Sequence, residues 1–266
     1  MRINLANPFN APVYHEECLS STMDAIRSLA RNGEPHGTVI LADFQESGRG
    51  RQGRPWKAEK GQSLMFSIFL NYHDFPAALA LKSGLAVSLA IGDFIPAMAP
   101  FVQVKWPNDV LIILKGEARK TAGILTETEG TKVFVGIGVN LVQRTFPEEL
   151  RFKAGSLFSM HDELFPGHEI PQQFLSANAP LNLLEKVLIH LYRELEAPVA
   201  QLPWKARLEE RLYKRGKRVI FVEGVADSTN IIQGCLTGIG EGGELLLIVE
   251  GEKKPQAFIT GELRVY

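Results

Sequence analysis

Residues 48–54 read Gly48-Arg49-Gly50-Arg51-Gln52-Gly53-Arg54, directly after the apolar run 38–44. Three guanidinium groups in seven residues cannot enter a core unpaired. The glycines let the backbone take left-handed turns or pass close to a ligand. The strand implied by residues 38–44 must therefore end here, and the chain must turn outward at the end of a sheet. Such a segment is either a solvated loop or a loop that closes over an anion. Solvation accounts for the charge but not for the alternation, and the alternation favours the anion. No GxxxxGK(S/T) phosphate loop is present. The spacing Gly48-x-Gly50-x-x-Gly53 fits a dinucleotide fingerprint, but Pro55 and Trp56 stand where the helix of that motif would begin.

The net charge of −1 over 266 residues gives no overall basic field for nucleic acid, so any positive site is local. The length allows one large domain and a small one. Cys18 and Cys235 form no CxxC pair and read as structural thiols in a reducing cytosol. Residues 1–10 lack a signal-peptide pattern, and no apolar run approaches 18 residues, so neither secretion nor a membrane span is expected. The six histidines are scattered, and no HExxH or GxSxG motif appears.

Ser21-Thr22 offers a helix cap before residues 23–30, with Gly33 as the stop. Strands are predicted at 13–14, 38–42, 63–70, 102–106 and 132–141, a core helix over 76–94, and a largely helical stretch over 170–196 that Pro180 breaks or restarts. Residues 110–114 and 122–126 form a hairpin across Lys115-Gly116-Glu117. From residue 217 the pattern changes to four or five short β runs punctuated by glycines, which suggests a small barrel or sandwich packed on the larger unit.

Three further segments have the chemistry of a site. Lys105-Trp106-Pro107-Asn108-Asp109 ends a strand in a turn, where Asn108 and Asp109 either bond their own backbone or face a ligand or Mg²⁺. Lys120, before Thr121-Ala122-Gly123, is either an exposed lysine or a point charge for phosphate. Gly136 and Gly138 either let bulky side chains pack on the strand or let a ligand approach it, with Asn140 at the strand end.

Taken in order, Ser21-Thr22, Gln45-x-x-Gly48-Arg49-Gly50-Arg51-x-Gly53-Arg54-x-Trp56, Lys105 to Val110, Lys120-x-Ala122-Gly123-Ile124-Leu125 and Gly136 to Asn140 resemble the biotin–protein ligases. The resemblance implies an α+β fold. Residues 1–212 would be a catalytic domain with a mixed β-sheet flanked by helices, like a class II aminoacyl-tRNA synthetase or biotin–lipoate ligase core. Residues 213–266 would be an SH3-like β barrel. It implies ATP-dependent activation of biotin to biotinyl-5′-AMP, with Mg²⁺ and ATP as cosubstrates, and transfer to a lysine of a biotin carboxyl-carrier domain. The alternatives are a lipoate–protein ligase-like enzyme or a non-catalytic biotin-binding protein.

The implied roles are residue-specific. Lys120, Arg49 and Arg51 would be catalytic. Ser21, Thr22, Met23, Gln45, Gly48, Gly50, Trp56 and Gly123 would join them in holding the biotinyl substrate. Arg51, Arg54, Lys105, Asn108, Gly136, Gly138 and Asn140 would face the nucleotide, and Asp109 the metal. Met23 departs from the family's Ser-Thr-Asn motif and has no side-chain donor for a ureido group. About twenty residues precede Ser21, too few for the DNA-binding domain that some members carry, so no DNA contact is expected. A cytoplasmic enzyme follows, for which a homodimer is an allowed assembly.

Overall fold

The computed structural model describes residues 1–74, 76–197, 203–224 and 229–264. Among these residues the strands form two sheets. The larger contains β1 (Arg2–Ile3), β2 (Val13–Leu19), β3 (Val39–Gln45), β4 (Ser63–Asn71), β5 (Val102–Lys105), β6 (Asp109–Leu114), β7 (Glu117–Glu129) and β8 (Lys132–Asn140). Their order is β1-β2-β3-β4-β8-β7-β6-β5. β2 and β3 run parallel and the other neighbours antiparallel, which makes the sheet mixed.

β4 shows why this sheet sits at the centre of the molecule. Its eight residues from Ser63 to Leu70 are all buried, as a near-continuous apolar run requires when both faces are covered. Leu64, Phe66, Ile68 and Leu70 join the large core with helices α2 (Leu79–Phe94) and α5 (Ala179–Leu195). Phe69 turns to the other face and packs with Met23 and Ile26 of α1 (Thr22–Arg31). The Ser21 hydroxyl caps α1 by accepting from the Met23 amide at 3.3 Å.

The predicted strands and the helix cap are present, and Pro180 lies in the first turn of α5, where its missing N–H costs nothing. α2 begins at Leu79, not residue 76, because Ala78 is left-handed (φ 57°). The hairpin between β6 and β7 turns through Lys115 (φ 50°) and Gly116 (φ 85°), the two positive φ values of a tight right-twisted connection. Helices α3 (Leu157–Leu164), α4 (Gln172–Leu175) and α6 (Trp204–Glu210) complete the set. Of these three, α4 falls within the helical stretch expected over 170–196, which α5 otherwise fills.

The second sheet is antiparallel and contains β9 (Arg218–Glu223), β10 (Ile231–Ile239), β11 (Leu245–Val249), β12 (Gln256–Phe258) and β13 (Gly261–Leu263), in the order β12-β11-β10-β9-β13. Trp106 ties it to the first sheet. Its indole is 2% exposed, meets Phe221 edge-to-face at 5.9 Å, and donates to the Gly243 carbonyl at 2.9 Å. Leu81, Leu85, Val104 and Leu208 share the same core with Phe221, Leu236 and Leu247. The small sheet is thereby fixed beside the Trp106-Pro107-Asn108-Asp109 turn.

Candidate active site

A cavity of about 720 Å³ opens on the α1 face of the large sheet, and the small sheet supplies one wall. Its floor explains the strand glycines. Gly123 on β7 pairs directly with Gly138 on β8, and the Trp56 indole lies over both. A Cβ on Gly138 would stand 2.5 Å from that ring, and one on Gly123 3.1 Å. Gly136, on the same strand face, is roofed by Met23, whose sulfur would be 2.8 Å from an added Cβ. The glycines thus admit a tryptophan and a methionine onto the sheet, and those side chains wall the cavity.

Beside Met23 the wall is polar. The Gln45 amide oxygen accepts from the Thr22 amide at 2.8 Å and the Thr22 hydroxyl at 3.0 Å. The Thr22 hydroxyl in turn accepts from Ser67 at 2.9 Å. Ser67 has no counterpart among the sequence-predicted residues. Its cue is its register opposite Gly136, visible only once β4 and β8 are paired.

Lys120 reaches the cavity through a β-bulge. Regular alternation would put residues 120, 122 and 124 on one face, and Ala122 and Ile124 belong to the opposite core. The register jumps between Val110↔Ala122 and Leu111↔Lys120, leaving Thr121 as the extra residue. Lys120 therefore shares a face with Gly123, whose added Cβ would stand 3.2 Å from its Nζ. The sequence reading placed Lys120 at the mouth of a strand, but β7 begins at Glu117 and the lysine lies within it. Asn140, 5% exposed, points its amide at the Lys120 and Gly155 carbonyls at 3.4 Å each.

Asp109 sits between two ammonium groups, with Lys120 Nζ at 2.6 Å and Lys105 Nζ at 3.5 Å. Burial opposes its ionisation, but the charges of Lys120 and Lys105 outweigh burial and hold the carboxyl below the usual range. A depressed folded-state value means that this pairing stabilises the protein at neutral pH and is lost as pH falls through that value. Asp109→Asn would leave Lys105, 5% exposed, beside Lys120 without their shared counter-charge. The expected cost is about 3 kcal/mol, read as a lowered denaturation midpoint at pH 7. An unchanged midpoint would remove the triad from the stability of the site.

The sequence reading gave Asp109 to a metal. Both of its oxygens face lysines, and among the described residues no group of three or more His, Cys, Asp or Glu side chains is placed to hold an ion. Among the described residues the charged side chains beside Asp109 are cations, which does not fit a magnesium ion held by the protein alone.

The glycine–arginine segment is a small hairpin. Gly50 N donates to Arg54 O at 2.7 Å and Trp56 N to Gly48 O at 2.8 Å, with a single turn at Arg51–Gly53 in which Gln52 is left-handed (φ 55°). Gly48 is hemmed in, since an added Cβ would lie 2.7 Å from the Trp56 carbonyl. Repulsion among the three guanidiniums is offset by separate protein partners. Arg49 forms a two-point pair with Asp24, Arg51 donates to the Asn108 amide oxygen at 3.1 Å, and Arg54 pairs with Glu262 at 2.9 Å. Asn108 completes the link by donating to the Ile124 carbonyl at 2.7 Å. Among the described residues, Arg51 has no carboxylate partner and lines the cavity.

Asp24 and Glu262 were not anticipated. No local motif marks either one, and Glu262 stands 208 residues from Arg54. Glu262 also lies 3.6 Å from Lys105 Nζ. Burial works against its charge, but Arg54 and Lys105 prevail and keep its carboxyl low.

Residues 16–141 match the family model described as the biotin/lipoate A/B protein ligase family. The bifunctional ligase/repressor BirA of Bacillus spizizenii is 36% identical over 151 residues, covering 54% of this chain and 45% of that protein. The match thus spans somewhat less than half of that relative. A biotin–acetyl-CoA-carboxylase ligase of Paracoccus denitrificans is 32% identical over 222 residues, covering 78% of this chain and 82% of its own length. The biotin protein ligase from Aquifex aeolicus in complex with biotin and ATP superposes with a TM-score of 0.70 at 27% identity, covering 95% of this chain and 97% of that one.

Proposed function

The chain belongs to the biotin/lipoate A/B protein ligase family, and from that premise we propose that it is an ATP-dependent biotin–protein ligase acting on a carboxylase carrier domain. One observation carries the reading. Arg51, without a carboxylate partner among the described residues, and Lys120 line one cavity with the polar Thr22–Gln45 wall. The cations suit the phosphate of an acyl-adenylate. The hydrogen-bonding wall suits a ureido ring, which has two N–H donors and a carbonyl, whereas the dithiolane of lipoate offers neither.

The reaction has two steps. A biotin carboxylate oxygen bonds to the α-phosphorus of ATP as the bond to pyrophosphate breaks, giving biotinyl-5′-AMP. The neutral amine of the acceptor lysine then attacks the acyl carbon. AMP leaves, the amide forms, and one proton is released. Lys120 offsets charge where carboxylate and triphosphate meet, and Arg51 stabilises the adenylate phosphate. Trp56 covers the glycine floor and limits access of water to the mixed anhydride. Asp109 orients Lys105 and Lys120, and magnesium, when bound with ATP, would supply positive charge to the triphosphate.

The same reading takes residues 1–212 as a catalytic unit of the class II synthetase-like type, residues 213–266 as an SH3-like barrel, and the cytoplasm as the site of action. The discriminating experiment supplies the protein with ATP, a carrier domain and either labelled biotin or labelled lipoate. Biotin is incorporated and lipoate is not. Incorporation of lipoate alone would overturn the assignment.

A further inference from the structure

The loop arginines reach three separate parts of the molecule: Arg49 the helix α1, Arg51 the turn after β5, and Arg54 the small sheet. The first contact has the most developed geometry. Arg49 Nη2 lies 2.7 Å from Asp24 Oδ1 and Nη1 2.8 Å from Oδ2, the fork in which guanidinium and carboxylate fit best. Arg49 Nη1 also stands 3.4 Å from the Ser21 hydroxyl that caps the helix. Asp24 lies in the first turn of α1, between the buried Met23 and the buried Ile26, so its backbone is anchored to the sheet.

Among the described residues the other carboxylate near Arg49 is Glu127, and Asp24 itself also lies 3.5 Å from Arg27. Glu127 is 3.7 Å from Arg49, but it already pairs with Arg27, which in turn reaches Glu129. The Arg49 hydrogen bonds hold the Asp24 carboxyl below its usual range. Asp24 is not among the residues lining the cavity.

We propose that Asp24 is a positioning residue that latches the 48–56 loop, through Arg49, onto α1, and thereby sets how long the acyl-adenylate stays bound. The latch rests on the ligase reading above. It also divides the labour of the two arginines that the sequence placed together on the phosphate: Arg49 holds the loop, and Arg51 meets the anion. A loop released from α1 would keep its own hairpin bonds and its Arg54–Glu262 contact, but would lose its tie to the helix beside the polar wall.

Two readouts test this with the intact chain. The first is trypsin cleavage after Arg51 and Lys57 in the absence of any ligand. Asp24→Asn speeds cleavage about fivefold, Asp24→Glu stays near wild type, and D24R/R49D is slower than either single reversal. The second is dissociation of pre-formed biotinyl-5′-AMP. Asp24→Asn raises the off-rate by about five- to tenfold, the range for a charged hydrogen-bonded pair discounted for partial exposure, and shifts biotin affinity less than twofold. Wild-type cleavage and off-rates in Asp24→Asn would overturn the latch. Failure of the wild type to bind the adenylate would overturn the ligase reading, and the trypsin arm would still decide whether Asp24 holds the loop.

Discussion

Replacing Lys120 with alanine lowers biotin-dependent pyrophosphate exchange by on the order of 10²–10³-fold, the usual scale for loss of one preorganised charge at a reacting centre. The first step brings a carboxylate to a triphosphate, and without a cation between them their repulsion adds directly to the barrier. The Lys120 ammonium is well placed for that work. It is anchored 2.6 Å from Asp109, 5.8 Å from the centre of the Trp56 ring, and aimed over the glycine floor by the bulge at Thr121. Its energy is realised mainly as the two anions converge, so biotin affinity should fall far less than exchange. Lys120→Arg should not rescue, because a planar guanidinium lacks the compact head that fits between Asp109 and Gly123. Near-normal exchange in the alanine variant would remove Lys120 from the chemistry.

Arg51→Gly should act on the second half of the cycle. Arg51 donates to Asn108, which is itself fixed to the Ile124 carbonyl, so the guanidinium is held at the cavity by a neutral amide and its charge remains unspent. Loss of a charged hydrogen-bond donor to phosphate should raise escape of the acyl-adenylate by on the order of 10–100-fold, with little change in biotin affinity. The adenylate appearing in solution during turnover without acceptor is the quantity to measure. Equal release from variant and wild type would refute the assignment. Asp24→Asn should show the same direction with a smaller effect, because it loosens the loop and leaves the phosphate contact in place.

The strands and the α1 cap were legible in the sequence, because each is marked by local chemistry, and most of the residues it singled out, though not Gly48, line one cavity. Apolar runs bounded by glycine or proline gave the sheet, and Ser21-Thr22 gave the helix start. Gly136 and Gly138 both line the cavity, and Met23 packs over one and Trp56 over the other. Met23, the departure from the expected motif, has a structural role as the lid on Gly136.

Part of what escaped the sequence depended on register or on distance along the chain, and part on local backbone features that no residue pattern marks. The bulge at Thr121 changes which face Lys120 occupies, and alternation alone puts that side chain on the wrong one. Asp24 and Glu262 gain their meaning only from Arg49 and Arg54, which lie far away in sequence. The helix α3 is eight residues long and rests on a Ser156–Ser159 capping box, too short a run for apolar periodicity to declare itself. Ala78 in a left-handed conformation moved the start of α2, and no residue preference announces that.

The central claim is that this cavity joins a carboxylate to the α-phosphorus of ATP. The direct measurement is exchange of labelled pyrophosphate into ATP by the purified protein, with and without biotin. Exchange should require biotin, and lipoate should not replace it. Saturable binding of biotin with no exchange into ATP would show a binding protein instead of a ligase and would contradict the claim.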